Sequence, residues 1–208
     1  MKNMPQLLGG IGLAFGFAAT AQAAPITGGT TQVTLTIAST LASLGASVSP
    51  LGTATVSDSS PPVATFPITG GSTSSTGDLI QHNGSGLEIS ASPTVVDTRN
   101  YLIDTANKVI DADVSENGTS AGTIGLFTLG SSGLTNVPLT LTSGAVTALN
   151  AAFGLSGTDA LTTSTPIGTL TSSPTVGAVA APEPATAAVV GVGLLALAAV
   201  RRRARAAL

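Results

Sequence analysis

The chain contains no cysteine and no tryptophan, a single histidine (His82), a single tyrosine (Tyr101) and only 8% charged residues in its 208 positions. Without thiols there is neither a disulfide framework nor a thiolate metal site, so the fold must be held by packing and hydrogen bonds. One histidine restricts any hydrolytic triad to His82. The sequence also lacks a G-x-S-x-G elbow, a G-x-x-x-x-G-K-[ST] phosphate loop and an H-E-x-x-H helix. The acidic run Asp111-Ala112-Asp113-Val114-Ser115-Glu116 fails as an EF-hand loop, because its sixth position is Glu116 where glycine is needed. A non-enzymatic protein is therefore expected. A hydrolase with a carboxylate pair is the enzymatic alternative, since the spacing of acids in sequence says little about their distance in space.

Positive charge is nearly missing from the middle of the chain. Five of the seven basic residues (Lys2, Arg201, Arg202, Arg203, Arg205) lie at the two ends, and residues 24–181 keep only Arg99 and Lys108 against nine acids, a net charge of −7. A field of that sign excludes nucleic acid and anionic lipid as partners of this stretch. Threonine, serine, glycine, alanine and valine dominate it, a composition suited to a β surface solvated by hydroxyls rather than by charges.

The two ends read as targeting segments. Lys2, an apolar run from Leu7 to Ala19 and the small-x-small pattern Ala21-Gln22-Ala23 predict a signal peptide over residues 1–23, cleaved after Ala23. At the other end, Pro182-Glu183-Pro184 precedes sixteen uncharged residues, 185–200, and then the cluster Arg201, Arg202, Arg203 and Arg205. Sixteen residues give about 24 Å of helix against a hydrocarbon core of about 30 Å, a short span suited to a segment held briefly in a membrane. The arginines place its C-terminal end in the cytoplasm, and the flanking prolines keep the motif extended ahead of the helix. This order of parts resembles the PEP-CTERM sorting signal of Gram-negative bacteria. That resemblance implies processing by a membrane enzyme of the exosortase type, and a cell-envelope, outer-surface or secreted destination. It also implies a structural or interaction role in an exopolysaccharide or biofilm matrix.

Residues 24–181 are expected to form one β-rich domain. Thr30 to Ile37 (TTQVTLTI) alternates, with Val33, Leu35 and Ile37 on one face and Gln32, Thr34 and Thr36 on the other. Leu41 to Val48 reads as a strand or a short helix. Further strands are predicted over Gly52 to Val56, Val63 to Ile68, Thr94 to Asp104, Lys108 to Ser115, Thr123 to Leu129, Val137 to Leu141, Ile167 to Thr171 and Val176 to Val179. Asn83-Gly84 predicts a tight turn, pairing Leu79 to His82 with Leu87 to Ser90 as a hairpin. One short helix near residues 144–153 is expected, with Ser143 as N-cap and Gly154 as stop. Turn signals at this spacing predict an all-β domain, either an antiparallel β-sandwich or a partly closed barrel, plus a separate C-terminal transmembrane helix. Two echoes, PITGGT at Pro25 against PITGGS at Pro67 and PLGTAT at Pro50 against PIGTLT at Pro166, share no period and read as reused strand chemistry rather than a solenoid.

The order in which Phe66-Pro67-Ile68-Thr69-Gly70-Gly71, then Ile80-Gln81-His82-Asn83-Gly84-Ser85-Gly86-Leu87, then Leu141-Thr142-Ser143-Gly144-Ala145 follow one another is similar to HtaA-type haem-binding domains. These are β-rich extracellular modules in which a tyrosine ligates iron with a histidine in support. The resemblance implies His82 and Tyr101 as ligand-binding residues and haem as the cofactor. Ordinary strand and turn positions are the alternative reading of both residues, and aromatic walls for a haem are few: Phe66, Phe127 and Phe153.

Overall fold

A computed structural model describes residues 23–178. Alternating apolar and hydroxyl-bearing residues bury one face of most strands, and these faces turn inward to line a barrel. The strands are β1 (Ala24–Leu35), β2 (Ser47–Gly52), β3 (Thr55–Val56), β4 (Val63–Pro67), β5 (Gly70–Ser74), β6 (Gly77–Ala91), β7 (Thr94–Asp104), β8 (Val109–Glu116), β9 (Thr119–Leu129), β10 (Val137–Leu141) and β11 (Pro166–Val176). β10 is a clear case: Val137, Leu139 and Leu141 are buried, while Pro138 and Thr140 between them face out.

All pairings are antiparallel, and the order β11-β10-β9-β8-β7-β6-β5-β1 returns on itself because β1 also pairs β11 from Ile26↔Val176 to Leu35↔Gly168. The ring closes through the short β5, while β2 and β3 are not paired with each other, so the all-β fold expected from the sequence takes the form of a partly closed barrel. Closure removes the exposed edges that an open sheet would present. β5 spans only part of the seam, pairing Gly77 to Gln81 of β6 and Ala24 and Pro25 of β1. The remaining half is filled by β2 on β6, β4 on β1, and β3 on β4.

The predicted hairpin at Asn83-Gly84 does not form. Residues 77–91 run as one strand of 15 residues paired with β7 along both halves, and Asn83-Gly84 lies in a bulge where the register slips between His82 and Gly86. The dipeptide supplies the left-handed backbone its composition suggests (Gly84 φ 78°), but uses it inside a strand. Asn100 Oδ1 accepts from the Gly84 N–H (2.8 Å), satisfying the donor that the bulge takes from the ladder. Asn100 itself has φ 54° and marks a second slip, between β7 and β8. Two adjacent bulges thus lie level with His82 and Tyr101.

The late helix, α2 (Ser143–Phe153), matches expectation except at its cap. Thr142, not Ser143, is the N-cap: its side chain accepts from Ala145 N (3.1 Å), and Gly154 closes the helix in the left-handed region (φ 64°). One helix was expected; a second, α1 (Ala38–Ser43), precedes β2 and anchors through buried Leu41. Ile167 to Thr171 and Val176 belong to one continuous strand, β11, rather than two. Among the described residues no helix is long and apolar enough to cross a membrane. Ala23 is exposed immediately before β1. Ala21, the motif Pro182, Glu183 and Pro184, the predicted helix over 185–200 and the arginines Arg201, Arg202, Arg203 and Arg205 lie outside the described residues.

Barrel closure depends on backbone approaching backbone. Gly168 of β11 is buried between β1 and β10, and a Cβ built there would sit 1.9 Å from Thr34 O. Gly168→Val is expected to destabilise the domain by about 2–4 kcal/mol by forcing β1 and β11 apart. Urea denaturation checks this, and an unchanged midpoint would mean that the seam is not tightly packed.

Candidate functional site

The bulges aim a polar group into an otherwise apolar interior. His82 and Tyr101 are directly opposed across β6 and β7, and both are buried, at 1% and 7% exposure. In regular β7 geometry Thr98 and Tyr101, three apart, would face opposite sides. The extra residue near Asn100 turns both inward. Phe66 of β4 meets both rings edge-on, with centroids 6.2 Å from His82 and 5.1 Å from Tyr101.

The imidazole is satisfied on both nitrogens. Nδ1 lies 3.3 Å from the Tyr101 carbonyl, which can only accept, so Nδ1 carries the proton. Nε2 must then accept from Thr31 Oγ1 (2.8 Å), which in turn accepts from Ser172 Oγ (2.8 Å). This chain of hydroxyls is buried throughout and links β6, β1 and β11. Burial outweighs the Tyr101 carbonyl and pushes the His82 pKa down to about 4, so the ring is neutral.

The phenol has its own partners. Thr98 Oγ1 donates to Leu87 O (3.0 Å), so its one proton is committed, and the Tyr101 hydroxyl donates to Thr98 Oγ1 (2.5 Å). Burial pushes the phenol pKa well above its ordinary value and keeps it protonated.

Two cavities flank this group. The larger, about 100 Å³, lies against α1, α2 and β2, with Leu35, Leu87, Tyr101, Leu126, Leu141 and Ile167 in its deep wall. Half-buried Leu44, Val48, Ile89, Leu149, Phe153 and Leu155 form its outer part. Thr98 and Tyr101 are the only polar side chains in its lining. The smaller, about 40 Å³, lies deeper beside Phe66, His82 and Thr31, and the two share Leu35, Leu87, Tyr101, Phe127 and Ile167 as a partition.

The structure thus brings the two sequence-predicted residues together beside Phe66, one of the aromatic walls named from the sequence, and adds Thr31, Ser172 and Thr98, which sequence reasoning did not single out. A signal existed for all three: Thr31, Thr98 and Ser172 interrupt the inward, apolar side of their strands with a hydroxyl, next to Val33, Val96 and Leu170. As packed, the residues do not fit an iron-ligating haem site. Tyr101 oxygen is buried as a neutral phenol bonded to Thr98, His82 has no free nitrogen, and neither cavity has room for a porphyrin. Asp111 and Asp113 sit on β8, Asp113 exposed and accepting from Thr123 and Asn100, which hold its carboxyl below the usual range. Among the described residues no cluster of His, Asp or Glu could hold a metal ion.

No protein-family model matches the chain, and no curated protein does. Among solved structures it is similar to the C-terminal domain of HtaA from Corynebacterium glutamicum, with a TM-score of 0.53 and 16% identity over 74% of this chain and 99% of that one. A looser likeness, TM-score 0.45 and 11% identity, is to the haem-binding protein HtaB of the same organism, covering 76% of this chain and 100% of that one. The first similarity is one of fold, and it is the fold that the order of motifs around Phe66, His82 and Leu141 resembles.

A neutral buried imidazole makes stability depend on pH. The unfolded chain takes up the His82 proton near pH 6.5 and the barrel only near 4, so the unfolded state binds more protons between these values. Stability is full above about pH 6.5 and drains as the pH falls toward 4, by about 3 kcal/mol from this group. Urea midpoints of the native protein should therefore fall more steeply across that window than those of His82→Asn. Parallel slopes would mean that His82 takes up its proton normally in the barrel.

Proposed function

We propose that residues 24–178 form an exported binding module for a small apolar ligand, built on an HtaA-like fold, with the cavity beneath α1 and α2 as its site. The observation that carries this reading is the cavity itself. At about 24 cal/mol per Å³, an unfilled space of about 100 Å³ forfeits on the order of 2 kcal/mol of packing. The rest of the barrel is closed to near-complete burial at Ile80, Ile103, Leu129, Leu139 and Leu170. A void kept where α1 and α2 supply half-buried side chains favours occupancy by something other than the chain.

HtaA-type domains make haem the first ligand to test, and apolar contact without iron ligation is the mode this interior favours. Export is the reading of residues 1–23, and β1 begins at Ala24, so cleavage after Ala23 would take nothing from the barrel. The tail from Pro182 would pass the domain to an exosortase-type enzyme in the membrane. The acidic, hydroxyl-rich exterior favours a second reading, contact with exopolysaccharide in a matrix, and binding of neither ligands nor haem would leave that reading in front.

Two measurements follow. Val48→Phe, which fills the outer cavity, should weaken binding of an apolar dye by tenfold or more while changing stability by no more than about 1 kcal/mol; undiminished binding would place the ligand elsewhere. In a haem titration, no Soret band dependent on Tyr101 is expected, so native protein and Tyr101→Phe should give the same spectrum. A band lost in Tyr101→Phe would replace apolar contact with iron ligation.

A further inference from the structure

The directions of the hydrogen bonds at the floor of the larger cavity select among apolar ligands. We infer that this site takes a neutral molecule with an apolar body and one hydroxyl or N–H donor, which is accepted by the phenolic oxygen of Tyr101. The inference rests on the binding reading above and specifies its ligand class.

Thr98 spends its only proton on Leu87 O, and Tyr101 spends its own on Thr98 Oγ1. The phenolic oxygen, which the Leu87 backbone also approaches, has no proton to offer and keeps a lone pair, so toward a ligand it is an acceptor. Thr98 likewise has no donor to give. A carbonyl or ether at the floor would find no partner, and an unpaired buried acceptor is costly. A hydroxyl or N–H finds one.

Charge sharpens the selection. Among residues 24–178 the only cations are Arg99 and Lys108. Arg99 is exposed and paired with Asp97 at 3.3 Å, Lys108 is exposed in the turn before β8, and neither lines the cavity. A carboxylate taken to the floor would be desolvated with no countercharge, inside a domain already negative by about seven charges. His82 cannot supply one: it is neutral, and its nitrogens are engaged by Tyr101 O and Thr31. A cation fares no better, since no carboxylate lines the cavity.

Size is bounded as well. A cavity of about 150 Å³ lined by aliphatic and aromatic groups accommodates benzene, and the space here is about 100 Å³, bounded on its outer side by half-buried Leu149, Phe153 and Leu155. Molecules of one ring or a short chain fit with small rotamer changes at Leu149 and Phe153.

The test uses the purified protein and four near-isosteric probes: toluene, benzyl alcohol, benzaldehyde and benzoate, titrated by amide chemical-shift changes at pH 7. Benzyl alcohol is expected to bind about five- to tenfold more tightly than toluene or benzaldehyde, and benzoate to bind most weakly. Tyr101→Phe should cut benzyl alcohol to the level of toluene and leave toluene unchanged, which also reports that the variant is folded. Benzaldehyde or benzoate binding as well as the alcohol, or an alcohol preference that survives Tyr101→Phe, would overturn the inference while leaving the cavity a binding site. No binding of any probe would overturn the binding reading and the inference with it.

Discussion

A single neutral imidazole joins the barrel from within. His82 donates to the Tyr101 carbonyl and accepts from Thr31, which reaches Ser172, so one ring on β6 is bonded toward β7 on one side and toward β1 and β11 across the interior. A buried polar group is tolerable only when every donor and acceptor is met, because an unmet one costs roughly 1–3 kcal/mol. The arrangement therefore specifies register as well as stability. Sliding any of these strands by one residue would turn its hydroxyl or ring outward and leave the others stranded. The bulges at Asn83-Gly84 and Asn100 are what allow His82, Thr98 and Tyr101 all to face inward.

That polar group also divides the interior. On one side Phe66 stacks edge-on against both rings in a space nearly filled; on the other, Tyr101 and Thr98 are the only polar side chains lining the larger cavity. Tyr101 serves both sides, with its backbone oxygen bonded to His82 and its hydroxyl to Thr98. The chemistry of the cavity floor is thus set by the same residue that fixes the imidazole.

Much of the fold was legible because strand alternation is a local signal. The strand through Thr30 to Leu35, which stops two residues short of the predicted Ile37, Val137 to Leu141 and the helix ended by Gly154 all follow from period and punctuation. Asn83-Gly84 misled because left-handed backbone serves a bulge as well as a turn, and only Asn100, on another strand, decides between them. α1 was half legible: six residues, ASTLAS, are too few to show a helical period, and Leu41 is held by packing. His82 and Tyr101 could be nominated because each is the sole residue of its type, but their pairing depends on bulged register that no local pattern encodes. The cavity was invisible in sequence, since its walls come from strands and helices spread from Leu35 to Ile167. The echoed PLGT and PIGT segments acquired a physical meaning: Gly52 and Gly168 each face a neighbouring backbone oxygen too closely for a Cβ.

The first strand of the barrel is hydrogen-bonded to the last, from Ile26 with Val176 to Leu35 with Gly168. A polypeptide emerging from its amino end, whether from a ribosome or through a translocation pore, must hold β1 unmatched along that side until residues 166–176 arrive. Such sequence-distant pairing makes for slow assembly. The ring can close only after nearly the whole domain has emerged, and until then the chain stays open and threadable.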